Sequence, residues 1–293
     1  MSTSAGLATI PALGKAELEY LAEEQMKAFA RFDGKEAPAF MVWKFAAHFL
    51  KKKVSFEWLS NDGSILGLSC FVDGTAIPVF DPKANTVKWR ELGANTILLS
   101  KKLENPHVSL GKPRFTLMHE CAHHLLHTAH FRSMASLGSG KKVACSIQRD
   151  KDQRIPPPKE TWTDEERMEW QANYFASALL MPESRVHFVM EKHGLEKAYS
   201  QRVMHQASEY YAFRTLVRSL AAVFRVSPTT AELRLEALGF ERLQDLRPPK
   251  EDPWLDDYPA PKKSRLSKEE REWARVERSW DRVRERELKR KYE

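Results

Sequence analysis

The sequence predicts an α+β fold, with helices set around a small, mostly antiparallel sheet. Three observations predict it. Apolar residues recur at helical spacing in two N-terminal runs, the period shortens to that of strands over residues 54–99, and the helical period returns after Pro113 and holds to Gly239.

Residues 18–29 and 39–50 are the two N-terminal helices, separated by the turn-like "FDGKEAP". The sheet follows from "VSFEWLS", "SILGLSCFVD", "TAIPVF", "TVKWREL" and "NTILLS", which are β-branched or aromatic runs punctuated by "NDG", "DG" and "DPKAN". Pro113 then stands where a first-turn proline is tolerated, ahead of the helical run "RFTLMHECAHHLLHTAHF". Residues 132–160, with "GSGKK" and "IPPPKE", read as a loop-like insert. In "TDEERMEWQANYFASALLMP" Thr163 caps a helix, Glu166 completes a capping box, and Pro182 ends it.

The chain therefore divides into N-terminal helices (1–53), a core carrying the sheet, the motif helix and the later helix (54–182), and a helical region (183–246). A linker of proline and charge follows (247–266), and then a highly charged helical tail (267–293). In that tail Leu266, Trp273, Val276, Trp280 and Val283 draw one narrow apolar stripe, which needs a surface to bury it. The helix packs on its own domain or frays in solution, or it docks a protein partner, with nucleic acid as a third reading.

Composition bounds the function. With 293 residues and 42% hydrophobic content, the chain suffices for one sizeable domain or two small ones. No apolar run approaches the roughly 18 residues of a membrane span, and the N-terminus lacks a basic segment followed by an apolar one, so a cytoplasmic location is expected. Three cysteines without C-x-x-C pairing argue against a disulfide framework and a thiolate zinc knuckle. A net charge of +7 permits acidic partners, but Lys and Arg interleave with Asp and Glu, which weakens the case for nucleic acid.

The chemistry is concentrated in "TLMHECAHHLLH". On a helix His119 and His123 lie at i and i+4, so both rings project from one face and can reach one ion. Glu120 flanks that position without binding there, which is where a base stands to take a proton from water. The third ligand is sought on the later helix. Glu169, three residues before Ala172 and seven before Ala176, falls on that helix's apolar face, where a carboxylate needs a partner such as a metal. Glu165 and Glu166 belong to the first turn, where acidic side chains suit the helix dipole. Asn173, one turn beyond Glu169, is a candidate to hold the far nitrogen of a ligand histidine, and His127, one turn past His123, to orient the site. Cys145 in the insert is a remote candidate for a fourth, inhibitory ligand.

"RFTLMHECAHHLLH" followed by "EWQANYFASALLMP" resembles the ImmA/IrrE family of zinc-dependent metallopeptidases, and "LAAVFRVSPTTAELRLEALGF" resembles the helical segment which that family carries afterwards. The resemblance runs over roughly residues 18–240 in three ordered motifs. It implies a compact zincin-like fold, Zn2+ held by His119, His123 and Glu169, and Glu120 as general base. Members of the family are bacterial and phage-related proteins that cleave helix-turn-helix repressors encoded beside them, switching on mobile-element or stress-response genes. A protein substrate of that kind is the implied partner. The insert and the basic tail after Lys250 depart from the family pattern.

The third motif has the order of a helix-turn-helix, with Arg225 where the turn commonly has Gly. Its second helix offers mainly Thr229, Thr230, Glu232, Arg234 and Glu236, and glutamates facing phosphates repel them. A helical pair packed on the enzyme is therefore preferred to a DNA reader. The rival function is a DNA- or partner-binding regulator with a structural or inactive zinc site, against which the presence of Glu120 argues. For the oxyanion, His187, His205, Tyr210 and Tyr211 are candidates among which sequence does not choose.

Overall fold

The computed structural model describes residues 10–34, 41–105, 108, 111–138, 142–147, 162–195 and 209–240. Helix α1 (Lys15–Asp33) starts where Glu17 reaches back to the Gly14 N–H at 3.0 Å, and it ends at Gly34, which takes the left-handed conformation at φ +69°. Its buried face is Leu18, Ala22 and Phe29. The second N-terminal run is one short turn, α2 (Val42–Lys44), which widens into a π-helical turn over Phe45–Phe49. Phe29, Phe45 and Phe49 meet there edge to face or tilted, with centroids 5.3 to 5.6 Å apart.

Six strands follow. They are β1 (Lys53–Glu57), β2 (Ile65–Cys70), β3 (Thr75–Asp81), β4 (Thr86–Leu92), β5 (Thr96–Ser100) and, much later, β6 (Val143–Ile147). One sheet has the order β1-β5-β2-β6, parallel between β1 and β5 and antiparallel at its other two pairings; β3 and β4 form a separate antiparallel hairpin. The expected sheet is thus two sheets. The expected loop-like insert also contributes its edge strand, because β6 pairs with β2.

Side-chain alternation gives the larger sheet two apolar faces. Ile97 and Leu99 of β5 join the cluster under the helices, whereas Leu98 joins Leu59, Leu68, Cys70, Ile77 and Leu92 on the far side. On β6, Ala144 packs with Phe71, Phe131 and Met168, while Val143 and Cys145 pack against the far cluster.

Helix α3 (Gly111–Leu126) lies on the helical face of this sheet and is buried from Thr116 to His124. The run expected as one helix is two, because His127 takes φ −118° and ψ 0° and begins α4 (Thr128–Ser136). Against α3 packs α5 (Asp164–Leu180), whose Thr163 hydroxyl accepts from the Glu166 N–H as the capping box requires. Met181 and Pro182 separate it from α6 (Glu183–Lys192).

Helix α7 (Glu209–Phe224) turns at Arg225, left-handed at φ +55°, into α8 (Pro228–Ala237), which Ser227 caps. The turn abuts the start of α3. A Cβ on Gly111 would stand 2.4 Å from the Ser227 nitrogen, so only glycine admits this approach. Arg234 of α8 is fully buried. Its guanidinium forks onto the Glu19 carboxylate of α1 and donates to the Met181 carbonyl at 2.8 Å, while Tyr174 of α5 donates to the same carboxylate at 2.7 Å. Leu18, Phe45, Leu99, Leu117, Phe175, Leu220 and Leu235 accordingly share one core. Among the described residues no helix is long and apolar enough to cross a membrane. The linker 247–266 and the tail 267–293 lie outside the described residues.

Candidate metal centre

Positions four apart on α3 bring His119 and His123 side by side, with their Nε2 atoms 3.0 Å apart. From α5, Glu169 brings Oε1 to 3.3 Å from His123 Nε2 and Oε2 to 3.6 Å from His119 Nε2. One donor atom from each of the three lies within 4.8 Å of the others, so His119, His123 and Glu169 could together hold a metal ion. Both histidines are buried, and Glu169 keeps a side-chain exposure of 21%, which leaves the cluster an opening on its side. Glu165 and Glu166, by contrast, are exposed in the first turn of α5.

The far nitrogens are held as well. His119 Nδ1 lies 2.9 Å from Asn173 Oδ1, and His123 Nδ1 lies 3.0 Å from His127 Nδ1. His127 Nε2 is in turn 2.9 Å from Gln171 Oε1. Burial pushes His123 and His127 down to about 3, so both are neutral imidazoles at physiological pH, the form in which histidine binds a metal.

Glu120 occupies the side of α3 that faces the sheet and is completely buried. The Ser69 hydroxyl of β2 donates to its Oε2 at 2.7 Å, whereas its Oε1 has no hydrogen-bond partner. Gly67 of β2 leaves the room for this carboxylate, since a Cβ there would stand 2.4 Å from Oε1 and 2.8 Å from the Ser146 hydroxyl of β6. Burial raises Glu120 to about 8, opposed by the polar groups of Ser146 beside it and by the Ser69 hydroxyl, and reinforced by the Glu169 charge. The residues fit a catalytic zinc ion. Two imidazoles and one carboxylate are a donor set zinc takes where it leaves a coordination position open, and the adjoining buried carboxylate has an oxygen to spare for a proton.

Residues 103–236 match the model of a peptidase family, Peptidase M78, described as the IrrE N-terminal-like domain. Over these residues the chain is similar to the metallopeptidase domains of the ImmA/IrrE type. No curated protein compared with the chain matches it. The matched stretch contains both helices that bear His119, His123 and Glu169, the edge strand β6, and nearly all of the α7–α8 pair.

The other candidates that the sequence singles out divide cleanly in space. Asn173 and His127 lie against the far nitrogens of His119 and His123. Cys145 does not reach the metal cluster, because it sits between Ala144 and Ser146 and therefore points through the opposite face of the sheet, among Leu68 and Leu98. His187 is 60% exposed on α6 and lies beside Glu183, while His205 and the side chains of Tyr210 and Tyr211 lie outside the described residues. Sequence reasoning misses Gln171, Ser69, Ser146 and Gly67. Only Gly67 carries a signal, since a glycine inside a strand run marks a close approach.

Proposed function

We propose that this chain is a zinc-dependent endopeptidase that cleaves a protein regulator in the cytoplasm, a helix-turn-helix repressor, and so relieves repression in a mobile-element or stress response. One observation carries the reading: two buried imidazoles and a carboxylate converge within 4.8 Å, and the residue next to the first of them is a buried carboxylate with a spare oxygen. His119, His123 and Glu169 would hold Zn2+. When bound, it supplies a Lewis acid that polarises the scissile carbonyl.

The other steps belong to the chain itself. Glu120 takes a proton from the attacking water at Oε1 and returns it to the leaving amine, while Ser69 keeps Oε2 fixed. Burial alone would leave Glu120 protonated at neutral pH, and the charge of Zn2+, when bound, would favour the ionised form that a base needs. Asn173 accepts from His119 Nδ1–H and His127 accepts from His123 Nδ1–H, so both Nε2 lone pairs are turned to the same point. The burial of Arg234 supports a scaffold role for the α7–α8 pair over a DNA-reading one, because the only cation among the base-reading candidates of α8 is committed to Glu19. Substrate docking through the tail belongs to the same proposal.

The test is co-expression of the full-length chain, and separately of its Glu120→Gln variant, with the helix-turn-helix repressors encoded nearby, read by gel. Wild type is expected to cleave one of them. Glu120→Gln should keep zinc and fold and lose cleavage by several orders of magnitude. Cleavage by a pure Glu120→Gln preparation would contradict the mechanism, and intact repressors beside zinc-loaded wild type would contradict the substrate class.

A further inference from the structure

The hydrogen bonds behind His123 do not stop at His127. Gln171 of α5 is completely buried, and its amide Nε2 donates to the Pro11 carbonyl at 2.7 Å and to the Leu13 carbonyl at 3.4 Å. Those carbonyls belong to the stretch ahead of α1, which Ile10 anchors among Phe71, Phe131, Ala144 and Met168. A continuous line of polar contacts therefore joins the N-terminal backbone to a metal ligand over four groups.

Each link allows one direction only. The reverse orientation of the Gln171 amide would set Oε1 against two carbonyl oxygens, acceptor against acceptor, so Oε1 faces His127. An amide oxygen only accepts, so His127 Nε2, 2.9 Å away, must carry the hydrogen. With its one ring hydrogen on Nε2, His127 offers a lone pair at Nδ1. His123 Nδ1, 3.0 Å from it, must be the donor, and the one nitrogen left to His123 with a lone pair is Nε2, which lies beside His119 Nε2 and Glu169.

We propose that Gln171 is a positioning residue that, anchored by the Pro11 carbonyl, selects through His127 the tautomer of His123 able to bind the metal, so that the docked N-terminal segment is part of the site. The inference rests on the metal reading of His119, His123 and Glu169. Hydrogen bonds of this outer kind fix ring orientation and raise ligand basicity, and losing one typically costs 10–100-fold in metal affinity.

The experiment uses the full-length protein and zinc alone. Zinc affinity is measured by chelator competition for wild type, Gln171→Met and His127→Phe. Wild type is expected to bind one zinc, and both variants to bind it about 10–100-fold more weakly. In parallel, 15N NMR of the histidine rings in zinc-free wild type is expected to show His127 protonated on Nε2 and His123 on Nδ1. If wild type binds no zinc, the reading of the metal site falls and takes this inference with it. If wild type binds zinc and both variants bind it equally well, or if His127 carries its hydrogen on Nδ1, the inference alone is overturned. The tautomer measurement stands even where a variant fails to fold, because it needs wild type only.

Discussion

Replacing Gly67 by alanine adds one carbon directly above the carboxylate of Glu120. That carbon would stand 2.4 Å from Oε1 and 2.9 Å from Cδ, where an ordinary contact begins near 3.4 Å. The Glu120 side chain must retreat by about 1 Å, and it has little space to do so, since it is fully buried between α3, β2 and β6. A misplacement of about 1 Å in catalytic geometry is worth up to about 100-fold in rate, and overpacking a dense interior costs about 1–3 kcal/mol of stability. The metal ligands project from other positions and keep their partners. Gly67→Ala should therefore bind zinc as wild type does, melt at a lower temperature, and cleave about 100-fold more slowly at unchanged zinc occupancy. Cleavage at the wild-type rate by a zinc-loaded, folded Gly67→Ala protein would refute the placement of Glu120 as the base.

Arg234→Met should destabilise the protein by about 3 kcal/mol in urea titrations, at the low end for a broken buried pair because Glu19 retains 15% side-chain exposure; a loss under about 1 kcal/mol would show that α8 is not locked by this contact. Zinc should raise the melting temperature, by about 4 kcal/mol of added stability at a free concentration 1,000 times its Kd, and chelator should reverse the shift; an indifferent transition would contradict a site joining α3 and α5. The zinc-free protein should be most stable near pH 7. Below it, unfolding lets His123, His124 and His127, each held down to about 3 by burial, gain three protons, while Glu120, raised to about 8, gives one up. The net uptake makes stability fall by up to about 2.7 kcal/mol per pH unit as pH drops from 6.5 toward 4.5. Between about pH 7 and 8 Glu120 dominates, and stability falls with rising pH. Urea titrations in chelator at four pH values check both limbs, and a flat profile would contradict the burial of these groups.

What sequence could read is what repeats locally. The i, i+4 pairing of His119 with His123, the capping box of Thr163 with Glu166, and the helix-turn-helix-like order about Arg225 each involve residues within a few positions of one another, and each is found in the structure. Glu169 was legible for a different reason: a carboxylate on an otherwise apolar helical face is a conflict that a partner must resolve. The rest depends on which distant segments meet. Strand β6 has too short and too ordinary a sequence to announce itself inside the insert, and its pairing with β2 closes a gap of more than seventy residues. That one pairing decides that Ser146 faces Glu120 and that Cys145 faces away from it. Gln171 was hidden in the same way, because its role depends on carbonyls about 160 positions earlier. The break at His127 follows no proline or glycine; its ring hydrogen-bonds back one turn to His123 while its backbone leaves the helix.

Zinc K-edge X-ray absorption on the purified full-length chain tests the central claim most directly, because it reads the donors themselves. The arrangement of His119, His123 and Glu169 calls for one zinc per chain in a shell of nitrogen and oxygen at about 2.0–2.2 Å, with the outer scattering of two imidazoles and no sulfur, and for loss of that zinc in Glu169→Ala but not in Glu165→Ala. A sulfur shell at about 2.3 Å, or a Glu169→Ala protein that keeps its zinc unchanged, would contradict it.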